Sequence, residues 1–385
     1  MSLKSKKKMI QTFSTTIRRK EMDAVLTCMV DERIGPGELN GRFIQTIKEF
    51  FGCDGAVALR NPSQALKYAF RSMDIAPGES VMISALAPAW HYQSLEDLGY
   101  KPVVLDVDEN SGLVTAEIVK KGIEDGGRVL ILHESMGILP EIDEILELGV
   151  PVIEDVSKSA GSYFPTFDEN HNPVDGRKAG SCGVYSILAL EERDVITAGG
   201  GAVLMAPNRR EWIVLKKYVD EMSRIELLPD INCALGWVQL KEFKHNEILR
   251  KRIFALFQRA CMSGKHKMLQ RGTGAIVPQG KKTGSQNVNS ENAENEEVFD
   301  YTSTMSSFPL VLTSSFKDVK QYTAKKDIEI SPAYEDSVIA IKEEELSSKC
   351  IKAKSLFLRC ALFPLYPRLT HSQTAKIIKV LGTLP

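Results

Sequence analysis

The sequence is short of the features that usually place a chain quickly. Its seven cysteines, at 28, 53, 182, 233, 261, 350 and 360, form no CxxC pair and are odd in number. That speaks against a zinc knuckle and a disulfide framework, so no metal site is expected, and a reducing cytoplasm fits best. No run approaches the ~20 apolar residues of a membrane helix, and no signal peptide is expected from MSLKSKKKMIQTF, which has lysines but no apolar core. Charge of one sign is missing too: 49 basic residues face 50 acidic ones, a net charge of −1. A general electrostatic role on nucleic acid or a membrane surface is therefore not expected. No internal repeat is evident.

What the chain does have is an ordered alternation of elements. Residues 18–30 and 38–51 carry helical periodicity, with Gly52 placed as a C-cap. Apolar runs at 55–59, 80–84, 102–105, 129–132 and 151–153 then read as strands, separated by helical segments at 65–73, 90–98, 114–122 and 142–148. Such spacing predicts an α/β fold with a mainly parallel central sheet covered by helices on both faces. After Met205 the chain turns helical, with one helix over 208–222 and a long one over 235–260. Segments 306–313, 316–326 and 327–331 suggest strand, helix, strand, and 348–363 and 371–382 suggest helices. Two domains are expected: a large one over 1–240, and a smaller C-terminal α+β domain over 241–385 that begins with the long helix. Residues 279–298 are polar, rich in Asn, Glu, Ser and Gly, and read as a mobile surface loop or disordered segment.

The most informative stretch is 151–204. There an apolar run ends in Asp155, a glycine-punctuated segment follows, and Gly199-Gly200-Gly201 precedes another apolar run. In an open α/β sheet, ligands sit outside the carboxyl ends of the strands, which makes Asp155 a site candidate. A helix N-cap or a loop carboxylate is the competing reading. The strand over 129–132 likewise ends at His133 and Glu134.

Taken together, KEMDAVL, GPGELNGRFIQTIKEFFG, PGESVMIS, GYKPVVLDVD, VPVIED, GRKAGSCG, GGGAVL and LFPLYPRLT occur in an order and spacing that resembles the DegT/StrS-type sugar-nucleotide aminotransferases. These are fold-type-I pyridoxal-phosphate enzymes, and the resemblance covers almost the whole chain. It implies the fold-type-I architecture, a homodimer, and a cofactor that serves as electron sink. It also implies four protein contributions: a carboxylate for the pyridine nitrogen, a flat side chain over the ring, donors for the phosphate, and a lysine for the Schiff base.

Asp155 takes the family's carboxylate position. The phosphate turn, Ser-Gly-Thr in the family, reads Asn61-Pro62-Ser63 here. Ser63 and Asn61 are phosphate candidates or simply helix caps, and Pro62 removes one backbone donor. The ring-stacking aromatic aligns with Pro88, and Trp90 is the candidate substitute, with core packing as the alternative. Lys158 replaces a glutamine that touches the ring hydroxyl, and is either a contact to that oxygen or a solvated surface lysine. The Schiff-base position falls on Arg193 or Asp194, and the window 186–198 (SILALEERDVITA) contains neither lysine nor histidine. Arginine stays charged and poorly nucleophilic. A phosphate-binding serine aligns with Ala189, and an asparagine that reaches across the dimer aligns with Ile225. The resemblance thus implies a divergent member, a degenerate aminotransferase with no assigned catalytic residue that binds a nucleotide-sugar-like ligand, a partner subunit, or pyridoxal phosphate without a covalent link. A working transaminase of nucleotide-sugar or surface-polysaccharide biosynthesis and a non-catalytic regulatory partner are the alternatives.

Overall fold

The apolar strands pair into one seven-stranded sheet in the order β1-β9-β8-β5-β4-β2-β3. Its strands are β1 (Gly55–Leu59), β2 (Ser80–Ser84), β3 (Lys101–Leu105), β4 (Val129–His133), β5 (Val152–Asp155), β8 (Tyr185–Ala189) and β9 (Ala202–Ala206), with a hairpin of β6 (Tyr163–Phe167) and β7 (Pro173–Lys178) inserted between β5 and β8. The computed structural model describes residues 9–167, 173–262, 264–271 and 302–385. The loop expected over 279–298 lies outside them.

Strands β3, β2, β4, β5 and β8 are mutually parallel, and β9 runs antiparallel to both β8 and β1. Residues alternate between the two faces of a strand. Val57, Ile83, Ile131, Ile153, Ile187 and Leu204 enter one buried cluster. Ala56, Met82, Leu130, Val152, Leu188 and Val203 enter the other. Burial on both faces explains why these strands read as unbroken apolar runs. Each large side chain so buried contributes about 1.5–3 kcal/mol.

A second sheet, in the order β10 (Phe308–Val311), β12 (Cys360–Phe363), β11 (Ser331–Pro332), is antiparallel throughout. It packs with the helices Phe243–Cys261 and His371–Leu381 around a third cluster centred on Phe254, Phe257, Phe308 and Phe363. Yet Val311, Tyr334, Val338, Ile339 and Cys360 belong to the first cluster, so C-terminal residues also complete the core over the large sheet.

Three expected elements differ. The long helix over 235–260 is two helices, Asp230–Lys241 and Phe243–Cys261, meeting at Glu242. No proline or glycine marks that break, so periodicity ran through it. The helix expected over 348–363 stops at Arg359, and Cys360–Phe363 is a strand pairing with β10 and β11. The strand expected over 327–331 is reduced to Ser331–Pro332, with Ile328 bridged to Ile10 instead.

Candidate active site

The site grows from the register of β4 and β5. His133 pairs directly with Asp155, and Leu132 with Glu154, at the carboxyl ends of adjacent parallel strands. Paired residues share a face, so the imidazole and the carboxylate meet on one side of the sheet. His133 Nδ1 lies 2.8 Å from Asp155 Oδ2. The helix Ala89–Asp97, which follows β2, brings a second imidazole down from above, with His91 Nε2 2.9 Å from the same oxygen. On the other oxygen, Ser157 donates twice, from its N–H at 3.1 Å and its hydroxyl at 2.5 Å. Asp155 is therefore buried, at 0% exposure, with four hydrogen-bond contacts. Burial alone would push its pKa up. The charge and hydrogen bond of His133, with that of His91, more than offset this and hold it well below the usual carboxylate range. His91 goes the other way: burial lowers its pKa despite the hydrogen bond and charge of Asp155.

A ring nitrogen of each imidazole faces Oδ2, and His91 Nδ1 is buried without a partner. Three donor atoms of His91, His133 and Asp155 lie within 4.8 Å of one another, a spacing that suits a divalent cation. Hydrogen bonding already accounts for the same contacts.

His91 is held firmly. The segment that leads into its helix is zipped to C-terminal residues: Ala89 N–H donates to Asp336 O, Val338 N–H to Ala87 O, and Ile339 N–H to Ala85 O, each at 2.9 Å. Trp90 is half-buried against the first core cluster, and its ring lies edge-on to that of His91 at 4.2 Å between centroids. Neither imidazole was singled out from sequence. The available signal was that His133 ends a strand and that His91 follows β2 by a few residues.

The turn after β8 closes the other end. Asp194 accepts Glu191 N–H at 2.8 Å through Oδ2 and the Lys158 ammonium at 2.8 Å through Oδ1. Lys158 Nζ also donates to Arg193 O at 2.7 Å. Val195 N–H donates to Ser157 O, so the two turns are fastened together. The Asp194 side chain is 7% exposed, whereas Arg193 points outward to Glu335. Burial raises the Asp194 pKa; Lys158 pulls it back in part, and the charge of Asp155 adds to the rise.

The third candidate cluster is a helix start. Asn61 is the N-cap of the helix Pro62–Ser72, and its side chain accepts Gln64 N–H at 2.9 Å. Pro62 is the first residue of that helix, and Ser63 lies half-exposed in its first turn. The structure thus brings Asp155 and Lys158 to consecutive turns of one site, sets Trp90 behind His91, and uses Asn61 as a cap.

On the opposite face of β5, Glu154 is buried and accepts three backbone N–H groups, from Gly180 at 2.9 Å, Cys182 at 2.7 Å and Gly183 at 2.6 Å. Glycine is required here: Gly180 has φ +88°, and a Cβ on Gly183 would sit 2.6 Å from Val152 O. Glu134 lies beside it, accepting from Ser159 Oγ, with its second oxygen unpartnered. All seven cysteines are free thiols.

An open, mainly parallel sheet with a polar cluster at the carboxyl ends of its strands, plus a small C-terminal sheet, is the architecture of pyridoxal-phosphate aminotransferases. Superposition shows it directly. The aminotransferase TlmJ from Streptoalloteichus hindustanus matches with a TM-score of 0.78 over 97% of this chain and 98% of that one, at 16% identity. The chain belongs to the DegT/DnrJ/EryC1/StrS aminotransferase family, whose profile matches residues 15–382. Among curated proteins it is similar to the GDP-perosamine synthase of Caulobacter vibrioides, 24% identical over 261 residues, covering 62% of this chain and 66% of that protein. It is also similar to the UDP-4-amino-4,6-dideoxy-N-acetyl-beta-L-altrosamine transaminase of Campylobacter jejuni, 26% identical over 275 residues, covering 65% of this chain and 69% of that protein. Each of these matches spans about two thirds of the relative's length.

Proposed function

We propose that this chain is a nucleotide-sugar-binding member of the family that forms no internal aldimine and does not transaminate by the family's route. The observation that carries this reading is the turn 191–194. Where the family's Schiff-base lysine aligns, the inward-facing side chain is Asp194, and the nearby ammonium belongs to Lys158, which Asp194 already holds. In this arrangement Lys158 Nζ is engaged by Asp194 Oδ1 and Arg193 O instead of being presented to an aldehyde.

The ligand class comes from the relatives, whose names specify GDP- and UDP-linked sugars. A cavity of about 700 Å³ supports it. Its lining includes Leu113, Thr115, Ile138, Phe254, Gln258 and Gln270. Its volume suits a small molecule. Glu141, Glu144 and Arg271 line it as well, and it is separate from the cluster around Asp155: none of His91, His133, Asp155 and Lys158 reaches it. A cytoplasmic homodimer belongs to the same proposal, by analogy with the family.

The rival reading is a working transaminase that uses Lys158, the amine three residues from Asp155. It requires Lys158 to leave both Asp194 and Arg193. The test is spectroscopic. The purified protein mixed with pyridoxal phosphate should show no borohydride-reducible aldimine in the peptides carrying Lys158 or residues 186–198. Calorimetry with GDP- and UDP-sugars should show binding. A reduced adduct on Lys158 would establish the rival instead.

A further inference from the structure

The carboxylate end of the site allows a stronger statement, which rests on the reading above. We propose that His91 has taken the place of the cofactor's ring nitrogen at Asp155, so that the chain excludes pyridoxal phosphate as a noncovalent ligand as well, and works without it.

The family's cofactor needs an open acceptor on this carboxylate. A carboxylate has about four lone-pair sites. In Asp155 they receive His91 Nε2 and His133 Nδ1 on Oδ2, and the N–H and hydroxyl of Ser157 on Oδ1. A pyridine N–H would be a fifth donor to a group with 0% exposure. One of the present donors would have to leave. Ser157 is fixed by its own backbone and also accepts Ala189 N–H. His133 is fixed by strand register. His91 is the donor that comes from a separate layer, and it occupies the approach to Oδ2 from the helix side. It is no loose side chain, because its helix start is zipped to residues 336–339 and its ring is backed by Trp90. Displacing it would leave both ring nitrogens without partners in a buried place, since Nδ1 already has none.

The remaining contacts agree. The Lys158–Asp194 pair spans the turn at the lysine end. At the helix start, Asn61 Oδ1 is spent on Gln64 N–H, and Pro62 offers no N–H. The residues present do not fit the cofactor at the carboxylate or at the lysine position, and at the helix start Ser63 is the one side-chain donor of the three-residue turn left for a phosphate.

Pyridoxamine 5′-phosphate is the discriminating probe. It carries the same ring nitrogen and phosphate as pyridoxal phosphate but has no aldehyde, so it reads noncovalent binding and is blind to aldimines. In equilibrium dialysis of the full-length protein, no saturable one-to-one binding is expected at concentrations up to 1 mM, on the order of the weakest millimolar affinities. His91→Ser, which removes the ring, should bind at least about tenfold more tightly than wild type. Saturable micromolar binding by the wild type would overturn the inference while leaving the proposed function intact, provided borohydride still fixes no pyridoxal phosphate. A fixed adduct on Lys158 would overturn both. A folded His91→Ser protein that binds no better than wild type would remove His91 as the excluding group. If that variant does not fold, His91→Ala takes its place, and the wild-type titration still decides whether the ring is excluded.

Discussion

Strand β5 ends in two consecutive carboxylates that face opposite ways and are equally buried, yet the protein treats them differently. Asp155 meets two imidazoles and a serine, and its pKa is held well below the ordinary range. Glu154 meets three backbone N–H groups and has Glu134 for a neighbour. Burial raises Glu154, its three backbone donors pull it back, and Glu134 is pushed well above the carboxyl range by burial and then by the charge of Glu154. Burial alone therefore does not decide protonation here. The partners do: His133, His91 and Ser157 hold Asp155 as an anion, whereas on the other face burial outweighs the three backbone donors of Glu154.

The largest effect should come from removing the anion that organises the first face. Asp155→Ala leaves two buried imidazoles and the Ser157 hydroxyl without their acceptor. A loss of about 3–5 kcal/mol in urea unfolding is expected, in line with the breaking of other buried charged networks. Asp155→Asn keeps the shape and should cost less. Equal and small costs for both would mean that the four contacts are not what stabilises this end of the sheet.

Glu134→Gln should act in the opposite direction. A carboxyl whose folded-state pKa is raised contributes stability that is fully present below its unfolded value, about 4.3. That contribution shrinks as the pH rises and is lost through the folded-state pKa. Glutamine has no proton to lose. The variant should therefore gain on the wild type with rising pH, by on the order of 1–3 kcal/mol at pH 8, and lose the advantage near pH 4. Parallel melting curves across that range check the sign. A variant that is less stable than wild type at pH 8 would show that Glu134 is held as an anion.

These two faces also mark what could be read from the residues. The strands of the large sheet were legible because, the partly exposed edge strand β3 apart, they are buried on both sides and read as apolar runs; their order in the sheet was not. Asp155 was legible because it ends such a run. Its partners were not, because they are set by pairing rather than by sequence. His133 meets Asp155 through the register of β4 and β5, across 22 positions, and His91 meets it across 64. Lys158 and Asp194 are 36 residues apart, and no local spacing pairs them. Cys360–Phe363 reads from sequence as the end of a helix because a four-residue apolar run fits either state, and its pairing with β10 decides it. The hairpin β6–β7 carried no alternating pattern to find.

A smaller effect separates the two donors on Asp155 Oδ2. The His91 pKa is lowered, first by burial, so the folded state keeps it neutral while the unfolded chain takes up a proton below about pH 6.5. Stability should then start to fall as the pH drops below that value. Asp155 adds a second loss only below about pH 3.9, because its depressed pKa contributes stability above the unfolded value and gives it up as the pH falls. His91→Gln keeps a donor without the titration. It should flatten the leg between pH 6.5 and 5 by about 1 kcal/mol and leave the lower leg in place. An unchanged upper leg would assign that loss to another histidine.

The least costly change should be at the Lys158–Asp194 pair, and its asymmetry is informative. Lys158 is 26% exposed on its side chain and Asp194 7%. Partial solvent screening limits the coupling between them to about 1 kcal/mol in a double-mutant cycle. The single variants should not be equal. Lys158→Gln strands a nearly buried carboxylate that burial and the Asp155 charge already push towards protonation. Asp194→Asn leaves an ammonium that can reach water and that keeps the Arg193 carbonyl. Lys158→Gln should therefore be the costlier single change, and its cost should shrink as the pH falls and Asp194 takes up a proton. If Asp194→Asn proves costlier instead, then Asp194 matters chiefly as the acceptor that shapes the 191–194 turn through Glu191 N–H, and the cation of Lys158 is incidental to it.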